Sequence, residues 1–287
     1  MKMGQAIISL SNNNVKIDSI KGQPKAGLFL LHKFNYFKIT DYICYKSSTM
    51  RNYFIFSLFI ISSTVFGQEY WQQRVNYKID VKLNDKNHTM SAFEEFEYIN
   101  NSPNSLSKIY VHLWPNAYKD GNIALAKQQY NDGDSDLKYG PEEIKGFIDS
   151  LDFKVNGQKA TWYFDALNQD ICVIELKEPI NTGQSIVVTT PFFVKIPSGS
   201  ISRLGHIGES YQITQWYPKP AVYDQEGWHQ MPYLNQGEFY SEYGSFDVSI
   251  TLPENYVVGA TGDLQTKTEI EFLERKADET LKNLQGA

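Results

Sequence analysis

From Trp71 onward, apolar and polar residues alternate with a period of two. Val75, Tyr77, Ile79, Val81 and Leu83 are separated by Asn76, Lys78, Asp80 and Lys82, the pattern of a strand with one buried face. Asn84-Asp85-Lys86-Asn87 reads as a turn, and "SAFEEFEYI" as a second strand that runs into the turn-rich "NNSPNS". Ile109, Val111 and Leu113 alternate again until Trp114-Pro115-Asn116 ends the run. Residues 116–147 form an excursion, in which "IALAKQQY" predicts a short helix and "NDGDSDLKYGPEE" a loop. Strands are expected to resume over Ile148–Val155, followed by the Asn156-Gly157 hairpin signal, "KATWYF", "ICVIEL", "SIVVTTPFFVKI", "FDVSITL" and "NYVVGATG". In "FDVSITL", Phe246, Val248, Ile250 and Leu252 share one face. Roughly ten strands without βαβ alternation predict an all-β fold, an antiparallel sandwich with a short helical excursion. The tail is charged, with Leu273, Ala277 and Leu281 at helical spacing. It stops without further strands, so the sandwich is expected to be incomplete at its C-terminus.

The N-terminal third breaks this pattern. "MRNYFIFSLFIISSTVFGQEYW" starts at Met50, carries Arg51 as a positive flank and then a charge-free apolar run over Tyr53–Phe66. Val65 and Gly67 are small enough for a cleavage site before Gln68, so residues 50–67 read as a secretory signal peptide and the protein as exported. The run is shorter than the ~20 residues of a membrane-spanning helix, so no stable span is expected after cleavage. A signal peptide belongs at the start of a chain. Residues 1–49, basic and without clear periodicity, are therefore expected to be an over-extended or disordered leader, with Met50 as the initiator and residues 68–287 as the folded domain.

Composition narrows the function. Hydrophobic residues are 41% and charged residues 21% of 287, enough for a packed core, and the 19 Tyr, 17 Phe and 5 Trp favour strands. Residues 1–67 hold eight basic and two acidic side chains, which leaves 19 basic and 31 acidic in the remainder, a net charge of −12. Such a surface repels phosphate backbones, and nucleic-acid binding is excluded as an expectation. Cys44 and Cys172 are the only cysteines. Cys172, alone in the body, reads as a small buried hydrophobe in a strand.

No complete catalytic set is legible. His32, His88, His112, His206 and His229 include no ligand pair at helical spacing, and a catalytic zinc needs three protein ligands. His112 alternates within a strand and is expected on a sheet surface. Asp132, Asp134, Asp136 and Glu143 mimic a calcium loop, but Leu137 stands where that loop needs glycine, so they read as a solvated acidic loop. The densest feature is 211–243. It holds Tyr211, Trp216, Tyr217, Tyr223, Trp228, Tyr233, Phe239, Tyr240 and Tyr243, interleaved with Pro218, Pro220 and Pro232. Aromatics in such a broken segment either plug the end of a sandwich or line a binding surface.

These residues resemble a known family. "YQITQWYPKPAVYDQEGWHQMPYLNQGEFYSEYGSFDVSITLPENYVVGATGDL" is similar to the N-terminal domain of the membrane alanyl aminopeptidase family of gluzincin zinc metallopeptidases, in its secreted bacterial branch. "NNSPNSLSKIYVHLWPNAY" and "LKEPINTGQSIVVTTPFFVKIP", with Leu176, Pro179, Ile180 and Gly183, support it in colinear order over about residues 70–265. The resemblance implies a saddle-shaped all-β domain, followed in family members by a helical catalytic domain with Gly-x-Met-Glu-Asn and His-Glu-x-x-His. Neither motif is in this chain. No cofactor is therefore expected here, with zinc belonging to the full-length family, and the expected partners are the missing C-terminal catalytic domain and a peptide substrate. Thr214-Gln215 matches the family's cleft segment, which implies a pocket-lining role for Gln215. The amine-binding acid or amide two residues on is Tyr217 here, which can offer only a hydroxyl and a ring face. The alternative is a secreted aromatic-rich β-sandwich module that binds peptide or carbohydrate through 211–243.

Overall fold

A computed structural model describes residues 6–10, as backbone, together with 70–237 and 239–285. All of these but Tyr70 belong to one compact unit. The predicted signal peptide 50–67, Cys44 and His32 lie outside the described residues.

In chain order the strands are β1 (Ala6–Leu10), β2 (Arg74–Asn84), β3 (Thr89–Ile99), β4 (Leu106–His112), β5 (Phe147–Asp149), β6 (Lys154–Val155), β7 (Gln158–Lys159), β8 (Thr161–Phe164), β9 (Ile171–Ile180) and β10 (Ser185–Lys195). They continue with β11 (Gly205–Ile207), β12 (Ser210–Ile213), β13 (Lys219–Pro220), β14 (Val222–Asp224), β15 (Gly227–His229), β16 (Phe246–Thr251) and β17 (Tyr256–Gly259). Helices α1 (Ala124–Asn131) and α2 (Asp136–Tyr139) sit in the excursion, and α3 (Lys267–Gln285) forms the tail. The chain is mostly β, as the alternation predicts.

The largest sheet runs β16-β2-β3-β10-β6-β7, with β5 also on β10. Its centre is the β2–β3 hairpin and the β3–β10 ladder, each continuous over eleven residue pairs. The apolar alternation of β2 places Val75, Tyr77, Ile79, Val81 and Leu83 on the core side, where Phe96 and Tyr98 of β3 and Val188 and Phe192 of β10 meet them. The hairpin turn is fastened by Asn84 Oδ1, which accepts from the backbone N–H of Lys86 (3.1 Å) and Asn87 (3.3 Å). β4 and β9 pair in a second sheet, ordered β13-β4-β9-β8. Their register shifts between Leu106 and Lys108, opposite the segment of β9 that holds Pro179, where a missing N–H costs nothing. Buried Asn100 ties these ends together. Its Nδ2 donates to Asn104 O and Ile180 O, and its Oδ1 accepts from Gln73 Nε2 and Ser102 Oγ. "NNSPNS" is thus a junction as well as a turn.

Three local expectations change. β16 joins β2 in parallel, because its chain arrives by a crossover instead of a hairpin, so the fold is antiparallel with one parallel pair. Ile148–Val155 is two strands, since Ser150 takes φ +59° and breaks the extended run between β5 and β6. "NDGDSDLKYGPEE" holds α2 and a 3₁₀ turn at Glu142–Ile144, pinned by fully buried Leu137. β1 lies between β12 and β17 and pairs antiparallel with both; the rest of 1–49 lies outside the described residues, so the expectation for that stretch is untouched.

Gly244 sets the approach of β16. A Cβ there would overlap the carbonyl oxygen of Val75, and the bonds Val75 N to Tyr243 O (3.0 Å) and Tyr77 N to Ser245 O (2.8 Å) on either side need that closeness.

Candidate functional site

Segment 211–243 is part core and part surface. Tyr211, Trp216 and Tyr233 are buried, whereas Tyr240 and Tyr243 are exposed and Tyr223, Trp228 and Phe239 lie between. Trp216 packs on Phe192 with ring centres 5.9 Å apart. Tyr217, half-buried, stands edge-on to Tyr77 (5.4 Å) and Phe246 (6.0 Å). The prolines explain how one short stretch does both. Pro218 and Pro220 keep the backbone extended without asking for ladder donors, so β13 needs only two residues to bring Lys219 and Pro220 opposite His112 and Val111 of β4.

Gln215 occupies the turn between β12 and β13. It is half-buried and one of the non-glycine residues at positive φ, +53°. That region is costly for a side-chain-bearing residue unless neighbours hold it, and such positions cluster at functional sites. The neighbour here is Lys219, whose Nζ donates to Gln215 Oε1 (2.7 Å) and to Ser241 Oγ (2.8 Å) and lies 4.0 Å from the centre of the Trp114 ring. Lys219 is 5% exposed, and burial pushes its ammonium down to about 7.

Beside it, His112 is 1% exposed, which corrects the expectation of a sheet-surface histidine. It ends β4 at the point where β13 and Trp114 cover that face. Its ring stacks on Trp114 at 4.4 Å, and Nε2 accepts from Met231 N (3.3 Å). An accepting Nε2 puts the proton on Nδ1, a buried atom with no hydrogen-bond partner. Burial, and then the charge of Lys219, hold the ring well below the usual histidine range, so it is neutral.

Tyr217 borders a buried acid. Glu94 on β3 is 0% exposed, and neither carboxyl oxygen has a hydrogen-bond partner. Burial raises its carboxyl well above the ordinary carboxylate range, which favours the protonated form. Burial, reinforced by Glu94, likewise raises the Tyr217 phenol far above its usual value. Tyr217 thus meets the core through its ring.

The exposed side of the segment is the β14–β15 hairpin. Tyr223 and Trp228 face each other at 5.0 Å, and Trp228 also approaches Tyr110 (5.6 Å). At its rim His229 Nε2 and Asp224 Oδ1 are 2.7 Å apart, and Tyr240 Oη donates to Asp224 Oδ2 (3.2 Å). Burial opposes the charge on Asp224, but the bonds from His229 and Glu226 N outweigh it and hold the carboxyl below its usual value. Glu242, which accepts from Tyr223 N (3.2 Å), is pushed up by burial to about 7.

Gln215 and Tyr217 are brought within one turn but point to different duties, Gln215 toward the lysine clamp and Tyr217 into the aromatic core. Sequence reasoning missed Lys219, His112 as a buried residue, Glu94 and Glu242. Glu94 had a signal, since it shares the parity of Phe96 and Tyr98 on the core face of β3. Among the described residues no group of three or more His, Cys, Asp or Glu side chains could hold a metal ion. Asp134 instead accepts from Asp136 N, and Asp132 from Gln236 Nε2. Cys172 is fully buried in β9, and burial drives its thiol far up.

No family model matches the chain, and no curated protein does. Among solved structures, it is similar to an M1 zinc metallopeptidase from Deinococcus radiodurans, with 14% identity, a TM-score of 0.36, and coverage of 63% of this chain and 33% of that one. It is also similar to yeast LTA4 hydrolase in complex with bestatin, with 12% identity, a TM-score of 0.34, and coverage of 68% and 27%. The chain thus spans about a third or less of the length of these neighbours.

Proposed function

We propose that this chain is the β-domain of an exported zinc metallopeptidase of the aminopeptidase type, forming one wall of a substrate cleft whose metal and general base come from a catalytic part outside it. The observation that carries the reading is Gln215. It is a polar side chain on a left-handed turn, half-buried and fixed by a buried lysine, the kind of preorganisation a substrate-orienting group needs. The colinear sequence resemblance over residues 70–265 supports the same reading. In it, Gln215 lines the pocket for a peptide side chain, and Tyr217 shapes that wall through its packing on Tyr77 and Phe246.

The test uses the protein joined to its catalytic part, sought as coding sequence downstream of Ala287 with Gly-x-Met-Glu-Asn and His-Glu-x-x-His. In that protein Gln215→Ala should lower kcat/KM of the folded fraction by a few-fold to about tenfold, roughly 0.5–1.5 kcal/mol for one neutral hydrogen bond, and should also lower Tm, since buried Lys219 loses an acceptor. A fall in Tm with unchanged kinetics of the folded fraction would make Gln215 structural and remove the reading.

A second reading, a secreted binding module, is favoured by the half-exposed Tyr223–Trp228 pair rimmed by Asp224, His229 and Tyr240. Titrating the chain with peptides and with oligosaccharides, read by Trp fluorescence and by its loss in Trp228→Ala, separates it from the first.

A further inference from the structure

We propose that Lys219 is the positioning residue of Gln215: its Nζ, bridging Gln215 on the turn after β12 and Ser241 ahead of β16, decides which end of the Gln215 amide faces the lysine and which faces away. The inference rests on reading Gln215 as a cleft residue, and it adds what sets the hydrogen-bonding character that this residue brings to a ligand.

The geometry leaves little freedom. β13 pairs Lys219 with His112 of β4, and the side chain runs past the Trp114 ring, with Nζ 4.0 Å from its centre, to Gln215 Oε1 (2.7 Å) and Ser241 Oγ (2.8 Å). Its partners are an amide oxygen, a hydroxyl and a ring face, none of them anionic. A charged ammonium has three donors and no acceptor, so it can face only the oxygen end of a carboxamide. A neutral amine carries a lone pair and tolerates either end. The charge on Lys219 therefore holds the amide with its oxygen toward Nζ, and loss of that charge removes this constraint on which end faces the lysine.

Burial without a counter-charge brings the lysine's titration to about 7, so both states are reached near neutrality. The titratable groups on the neighbouring elements are His112 on β4, kept neutral by burial and by Lys219, Asp170 ahead of β9, which burial pushes up to about 6, and Glu242 beside Ser241, pushed up to about 7. Glu242 bonds to Tyr223 N, away from Lys219, but it titrates in the same range and must be controlled.

The experiment is NMR of the intact chain with ¹⁵N-labelled glutamine side chains, the Gln215 signals being assigned by their loss in Gln215→Asn. The wild-type Gln215 amide pair should shift with a midpoint near 7. In Lys219→Met the shift should vanish. In Lys219→Arg, a donor that stays charged, the signals should remain at their acid-limit position throughout. Glu242→Gln should leave the titration in place. A wild-type amide that does not titrate, a titration that survives in Lys219→Met or Lys219→Arg, or one abolished by Glu242→Gln overturns the proposal. If Lys219→Met does not fold, the Lys219→Arg and Glu242→Gln arms still decide. No substrate enters this measurement. A normal titration alongside unaffected cleavage in Gln215→Ala would retain the clamp and discard the cleft.

Discussion

Glu94→Leu is expected to stabilise the chain, and by an amount that grows with pH. Glu94 lies between Ile79 of β2 and Thr190 of β10 in the centre of the largest sheet, on its core face. The one hydroxyl beside it in register is occupied, since Thr190 Oγ1 donates to Pro191 O (2.8 Å) and accepts from Asp152 N (3.0 Å). Both carboxyl oxygens are left without partners, and leaving a buried polar group unpaired costs about 1–3 kcal/mol at any pH. The titration adds to this. The folded carboxyl is raised above its ordinary value of 4.5, so its contribution is fully present below that pH and is lost as pH rises toward the folded value. Stability is therefore lost across that window as pH rises, and the leucine variant, with no carboxyl to ionise, keeps what the wild type loses. Leucine is close in volume and needs no partner, so packing changes little. Urea unfolding of both proteins at several pH values measures the difference directly. Asp170 and Glu242, which also titrate in this range, are common to both and cancel. A gain that is flat in pH, or a leucine variant less stable than wild type at neutral pH, would refute a protonated and unpaired Glu94.

Other outcomes are expected on the same grounds. Gly244→Ala should cost more than about 3 kcal/mol, in the range of severe steric substitutions, because its Cβ would meet the Val75 carbonyl, and it should loosen β16 from β2 in hydrogen exchange. Tyr217→Phe should change Tm little, whereas Tyr217→Glu places a second acid beside Glu94 and should unfold the chain increasingly as pH rises, as thermal melts would show. Should Tyr217→Glu stay folded in a protein with its catalytic part, an improved ratio of free to blocked substrates would put position 217 at the substrate amine, and an unchanged ratio would leave it a packing residue. The chain by itself should hydrolyse no aminoacyl-anilide and hold no stoichiometric zinc, checked by elemental analysis and by assay with added metal; chelator-sensitive activity would contradict this.

What the sequence determined by itself was whatever depends on neighbours along the chain. Period-two alternation located β2, β3, β4, β10 and β16, because a side chain's face in a strand is fixed by parity alone. Asn156-Gly157, both at positive φ, marked its hairpin because few residues tolerate that backbone. Thr214-Gln215 stood out by its resemblance to a cleft segment, but the left-handed turn at Gln215 was not legible in it. The tertiary structure decided everything set by what crosses a strand from elsewhere. Parity could not show that β16 would join β2 in parallel, since that partner is chosen by a crossover and by the bare backbone of Gly244. His112 looked like a surface residue because its covering layer, β13 and Trp114, comes from outside its own strand. Lys219, between two prolines, carried no signal in the sequence. Only pairing with β4 puts it under Trp114 and against Gln215, and only there does burial remove the water that would otherwise hold its charge.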